Sequence, residues 1–303
     1  MENHALKMHS TVTPWHQANQ QYLMGAIAQV RHALEQKLDQ ASGGQAAAQP
    51  ISVPSVAFPD HRPSALDTLC QLFHLSAFER NILLLCAGVE LSNPIASLCG
   101  ALHGDARQSY ASFSLALSVF QEVNWSALTP HAPLRYWQLI ELGGGPILTT
   151  SPLRIDERIL HYLLGVQHLD DRLTGLVQPI ASPLGSDDLL PPSYQAVVQD
   201  IVRSGLTRID SSSPVIQLCG PDATTKQAIA SAACAQIGLS LHRITATALP
   251  TDLSQINRMQ RLCEREGRLI RSAFLLDCDH LESGPSDGAT ASLESVIQRL
   301  IDQ

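Results

Sequence analysis

A chain of 303 residues is long enough for two domains with separate cores, and 45% hydrophobic with 16% charged residues excludes an intrinsically disordered protein. A net charge of −8 and a pI near 5.8 argue against a nucleic-acid binder, which ordinarily carries a basic domain or stripe.

Residues 15–40 place Tyr22, Leu23, Ala26, Ile27, Val30, Leu34 and Leu38 near helical spacing and predict a polar helix. A stretch rich in Gly, Ala, Gln and Pro follows from 42 to about 63, so residues 1–63 read as a helix and linker. Residues 64–180 read as a second, small domain. A short helix is expected over 65–73. Ser76 and Glu79 form a capping box that opens a helix to about Leu91, too apolar for a surface position. Pro94 starts another helix that ends near Gly104, and a fourth is expected over 113–121. The apolar runs 135–142 and 147–150 flank a Gly-Gly-Gly-Pro turn and predict a β-hairpin. Asp156 and Glu157 then open a helix that Gly165 stops. Several helices followed by one late hairpin is the order of a winged-helix domain. This domain carries six arginines, no lysine and ten acidic residues, a net −4 that repels phosphate and makes a winged-helix transcription factor the weakest reading.

Residues 181–192 read as a second linker, after which the pattern changes to α/β. Helices are expected over 194–204, 226–237 and 253–266, and strands over 215–219, 239–244 and 273–277. Strands alternating with helices indicate a parallel, doubly wound sheet.

The chemistry-bearing residues lie in this last region. Lys226 is the only lysine after Lys37. It stands in Gly220, Pro221, Asp222, Ala223, Thr224, Thr225, Lys226 and Gln227, between an expected strand and an expected helix. The P-loop pattern G-x-x-x-x-G-K-[ST] cradles phosphates with backbone N–H groups, and its lysine adds a point charge. This copy keeps the first glycine and the lysine. Thr225 replaces the second glycine and Gln227 the magnesium-binding hydroxyl. The partner of such a lysine is an acid at the end of an apolar strand, which holds magnesium through water. Asp277 supplies it, 51 residues on. Cys278 follows where a water-polarising glutamate commonly stands, leaving Asp279 as the nearby carboxylate for a catalytic role. Nucleotide binding is therefore better supported than hydrolysis. Arg258, Arg261, Arg265 and Arg268 recur on one side of a helix, either as an intersubunit or ligand-facing stripe or as a solvated face paired with Glu264 and Glu266. Seven cysteines, odd in number and without a C-x-x-C pair, read as buried free thiols of a reducing compartment. The first residues carry no apolar signal core and the longest apolar run, 82–89, is far short of a membrane span, so a soluble cytoplasmic protein is expected.

The run SAFERNILLLCAGVEL at 76–91 and the run LRIDERILHYLLG at 153–165 resemble the N-terminal winged-helix region of AAA+ ATPases encoded with phage-tail-like extracellular contractile injection systems. The resemblance continues through 214–220, 241–244 and 273–279. It implies a mixed fold, an α-rich winged-helix domain followed by a partial α/β P-loop (AAA+) three-layer domain over 193–303. It further implies ATP and Mg2+ as cofactors, a hexameric ring in the full-length form, and injection-particle structural proteins as partners, with no nucleic acid and no membrane. A complete AAA+ module runs on through two further strands, a sensor residue, an arginine finger and a helical lid, whereas about 25 residues follow Asp277. A fragment or truncated gene product, not competent in ATP hydrolysis by itself, is the resulting expectation. The alternative is a non-catalytic adaptor with a degenerate P-loop.

Overall fold

In a computed structural model the chain is described over residues 13–43, 56–180, 190–206, 215–250, 252–279 and 297–298. Much of both expected linkers (44–55 and 181–189) lies outside the described residues. Backbone contacts divide the chain into one unit ending at His168 and a second beginning at Leu169.

The first unit runs through α1 (Pro14–Ala41), α2 (Ala65–Leu72), α3 (Ala77–Leu91), α4 (Asn93–His103), α5 (Phe113–Val119) and α6 (Pro133–Tyr136). The strands β1 (Ile140–Leu142) and β2 (Leu153–Ile155) and the helix α7 (Glu157–Leu163) complete it. Local polar groups set the helix starts. Ser64 accepts from the Asp67 N–H, Ser112 from Leu115 and Asp156 from Ile159. The Ser76 box forms as expected: the Glu79 N–H donates to Ser76 Oγ at 3.2 Å and the Ser76 N–H donates to Glu79 Oε2 at 2.9 Å.

Residues 82–87 of α3 are all buried, since α1, α4, α5 and β2 pack around the helix. This explains why its pattern shows no polar face. A Cβ on Gly88 would come within 2.8 Å of Ile95 Cδ1, so glycine is what lets α3 and α4 approach there. Among the described residues no single helix is long and apolar enough to cross a membrane. The pair α3 and α4 passes by composition, but the two meet at 114°.

Asn19 is the polar residue that the periodicity of α1 does not foretell. Its Nδ2 donates to the Leu163 carbonyl at the end of α7, and its Oδ1 accepts from the Ala65 N–H at the start of α2, each at 2.8 Å. One buried amide thereby satisfies a terminal group of two other helices.

The hairpin corrects its expectation. Residues 135–136 finish α6, and the partner of β1 is β2, not 147–150; Ile140 faces Ile155 and Leu142 faces Leu153 in an antiparallel pair. Pro146 and Pro152 bound the intervening loop, and the Ser151 N–H and hydroxyl both donate to the Ile147 carbonyl, at 3.1 and 2.7 Å. That turn takes up the Thr149–Thr150 pair, whose β-preference suggests a strand.

The second unit contains β3 (Val177–Pro179), α8 (Pro192–Leu206), α9 (Ala223–Gln236), β4 (Ser240–Thr245), α10 (Leu253–Leu269) and β5 (Ser272–Asp277). The sheet order is β3-β4-β5, with β3 antiparallel to β4 and β4 parallel to β5. The α10 crossover makes the parallel pair a βαβ unit. Leu173, Val177, Ile244, Ile256, Met259 and Leu262 are buried together under it. Val198, Ile229 and Ala233 join α8 to α9.

Two expectations fail here. Residues 215–219 join no ladder among the described residues, and Val215 and Ile216 are 60% and 42% exposed. An apolar run becomes a strand only where another strand offers its backbone groups. The sheet is also mixed instead of wholly parallel. The short β3 ends in a proline, which hides it from a strand pattern.

Candidate functional site at the end of the parallel strands

In open α/β sheets, ligands bind at the carboxyl ends of the strands. Here those ends are Thr245 of β4 and Asp277 of β5, which sit in register. Past β5 the backbone turns, and the Asp279 N–H donates to Asp277 Oδ1 at 3.1 Å. The Asp279 carboxylate in turn accepts from the ammonium of Lys226, in the first turn of α9. Lys226 thus meets Asp279, and through it Asp277, which follow it by 53 and 51 residues, at one end of the sheet.

The loop before Lys226 differs from its expected form. The helix begins at Ala223, so Ala223, Thr224 and Thr225 are helical residues and not a phosphate-cradling loop. Asp222 causes this by capping α9. Its carboxylate accepts from the N–H groups of Thr224 (3.2 Å) and Thr225 (3.0 Å), and from the Thr225 hydroxyl. Those hydrogen bonds, the Thr225 hydroxyl first, hold the Asp222 carboxyl below the usual carboxylate range. The positive end of the α9 dipole is thus already met by the chain's own anion. An Asp directly before a helix is the sequence signal for such a cap.

Gly220 has no atom within 4 Å of the place where a Cβ would stand, so nothing crowds the backbone there. Pro221 is exposed, and Gln227 is half-buried beside Lys226 in α9. Burial first, then the charges of Asp277 and Asp279, push the Cys278 thiol up. It stays protonated at neutral pH and accepts no proton from water. Among the described residues, no three His, Cys, Asp or Glu side chains gather in a way that could hold a metal ion.

The arginine stripe is divided. Arg258 and Arg268 are exposed and Arg261 half-buried, but Arg265 is 0% exposed and ion-paired with the buried Asp170. Arg265 also lies 3.6 Å from Glu266, one of its expected partners, but both are fully buried; helical spacing does not mark them as core residues, because the Asp170 that meets Arg265 lies 95 residues away. The cysteines divide too. Cys86, Cys99 and Cys263 are buried, with burial pushing the thiols of Cys99 and Cys263 up to about 12, whereas Cys219 is exposed.

In the first unit, the loop between β1 and β2 carries no lysine or arginine. At its tip Ile147 and Leu148 are 57% and 43% exposed. A wing of this composition offers apolar contact and no phosphate partner.

No match to the chain was found among curated proteins or among solved structures. One family model matches, the winged helix domain, variant, over residues 15–177, from the first turn of α1 to the first residue of β3. With more than half of its length matched, the chain belongs to this winged-helix family.

Proposed function

We propose that the chain is the ATP-binding front part of an AAA+ protein of the kind encoded with contractile injection systems. The winged-helix unit engages injection-particle structural proteins, and the second unit holds ATP and Mg2+ weakly without turning ATP over. The protein acts in the cytoplasm, and the full-length form assembles as a hexameric ring. The observation that carries this reading is the meeting of Lys226 with Asp279, and through it Asp277, at the carboxyl end of β5. A lone lysine in a first helical turn and an acid at a strand end are the two charges that a Mg-nucleotide requires. Lys226 would hold phosphate oxygens, and Asp277 would hold the Mg2+ hydration shell. The bound metal would supply charge neutralisation for the phosphates. Binding requires Lys226 to leave Asp279 and phosphate to displace Asp222 from the α9 amides.

Turnover has no support from these residues. Asp279 is engaged by Lys226, Cys278 keeps its proton, and Gln227 offers an amide where a hydroxyl would touch the metal. The uncharged, apolar wing supports a protein partner over nucleic acid for the winged-helix unit.

A second reading, a non-catalytic adaptor that binds no nucleotide, is favoured by the Asp222 cap, which satisfies the amides a phosphate would need. Calorimetric titration of the full chain with Mg-ATP separates the two. The expected result is saturable binding that Lys226→Ala weakens by roughly tenfold or more, the value of a charge-assisted contact, and that Asp222→Ala tightens. Absence of binding in both the wild type and Asp222→Ala would establish the adaptor.

A further inference from the structure

The family match ends at residue 177, yet from Leu169 onward the chain is built into the second unit. Residues 169–180 are held there in three ways. Leu173 and Val177 are buried with Ile244, Ile256, Met259 and Leu262, while Leu169 and Leu176 pack against the same cluster. β3 pairs with β4, Val177 facing Ile244 and Pro179 facing His242, and the Ile180 N–H donates to the Leu241 carbonyl at 2.9 Å. Finally, the buried Asp170 binds two guanidinium groups. Arg172 donates from Nε to Oδ1 at 2.9 Å and from Nη2 to Oδ2 at 2.6 Å, and the fully buried Arg265 of α10 donates to Oδ2.

The strand by itself is a weak anchor. It spans three residues and includes a proline, and a slip of one residue would turn Val177 out of the core. A buried ion pair tolerates one register only, and fixing register is the best-attested use of such pairs. We propose that residues 169–180 are a docking strap. As far as residue 177 they are the tail of the winged-helix family region, and they seat on the rest of the second unit, along the edge of β4 and beside α10 with its buried Arg265. Asp170 and Arg265 are the pin that fixes the seat. The expected linker at 181–192 is then an internal connection of the second unit, not the joint between the two units.

The test uses the full chain with a protease site introduced between residues 181 and 189. Cleavage cuts the strap from the rest of its unit without altering a strap residue. After cleavage the two fragments are expected to co-elute on native gel filtration as one species; their separation would overturn the strap. With Asp170→Ala the cleaved fragments are expected to separate, while the uncut variant keeps its far-UV circular dichroism. Co-elution of the cleaved Ala variant would overturn the role of the pin. Should uncut Asp170→Ala lose its secondary structure, Asp170→Asn decides, since it keeps the volume and one acceptor oxygen. A partial loss of co-elution upholds the pin, and unchanged co-elution overturns it.

Discussion

The winged-helix unit and the α/β unit both start helices with local caps, Asp222 and Asp252 doing so in the second, but they differ in the charge pairs that the second closes over long stretches of chain. In the first, the groups that start helices lie three residues from the donors they satisfy: Ser64 and Asp67, Ser76 and Glu79, Ser112 and Leu115, Asp156 and Ile159. In the second, the decisive pairs are Asp170 with Arg265 and Lys226 with Asp279, 95 and 53 residues apart. A unit held by local signals is specified piece by piece. One held by distant charge pairs is specified only once its chain has closed, so single side chains there carry larger and more pH-dependent effects.

The largest expected effect is at Asp170. Asp170→Ala removes the closer of the two carboxylates beside the buried Arg265, leaving Glu266 at 3.6 Å, and should cost about 3–5 kcal/mol. Chemical denaturation should show the loss in the second unit's transition and leave the first unit's in place. Burial alone would raise the Asp170 carboxyl; the hydrogen bonds from Arg172 and the charges of Arg265 and Arg172 outweigh it, so the folded value lies below the ordinary one. The sign follows from that lowering. The pair's stability is fully present above the ordinary aspartate pKa of about 3.9 and is lost as pH falls below it, toward the lowered folded value. Titrating the two transitions from pH 6 to pH 2 should therefore narrow the wild type's advantage over Asp170→Ala, and an advantage independent of pH would break the comparison.

Asn19→Ala tests the exception within the local unit. It strands the Ala65 N–H and the Leu163 carbonyl, and each buried group left unpaired costs about 1–3 kcal/mol. The midpoint of the first unit's transition reads this directly. A loss confined to the second unit would contradict the assignment of α1. Ser76→Ala is the smallest change, about 1 kcal/mol: the hydroxyl's bonds from the Glu79 N–H and to Glu79 Oε2 are lost, while the Ser76 N–H keeps Glu79 Oε2. The same transition reads it, with a smaller shift than Asn19→Ala gives.

This contrast also governs what could be read in advance. Helices α1 to α5 and α7, the Ser76 box and the stop at Gly165 were legible because the residues that fix them are neighbours in sequence; α6 was not, since residues 135–136 read as the start of a strand. The hairpin register was not, because Thr149 and Thr150 favour a strand that the Ser151 turn overrides. In the second unit α10, β4 and β5 were legible from periodicity, but 215–219 was misread because a strand depends on a neighbour that its own residues do not announce. Lys226 and Asp277 stood out as motif residues. The burial of Arg265 and the antiparallel β3 rest on tertiary contacts and were missed, whereas the capture of the α9 amides by Asp222 is local and was missed because the same residues read as a phosphate loop.

Single-turnover ATP hydrolysis by the full chain, with enzyme in excess and Lys226→Ala as the blank, tests the central claim most directly. The account predicts that ATP bound by the wild-type chain is recovered intact, with product formation no faster than in Lys226→Ala. Hydrolysis well above that blank would contradict it, showing that Asp279 leaves Lys226 and acts as a base in spite of Thr225 and Gln227.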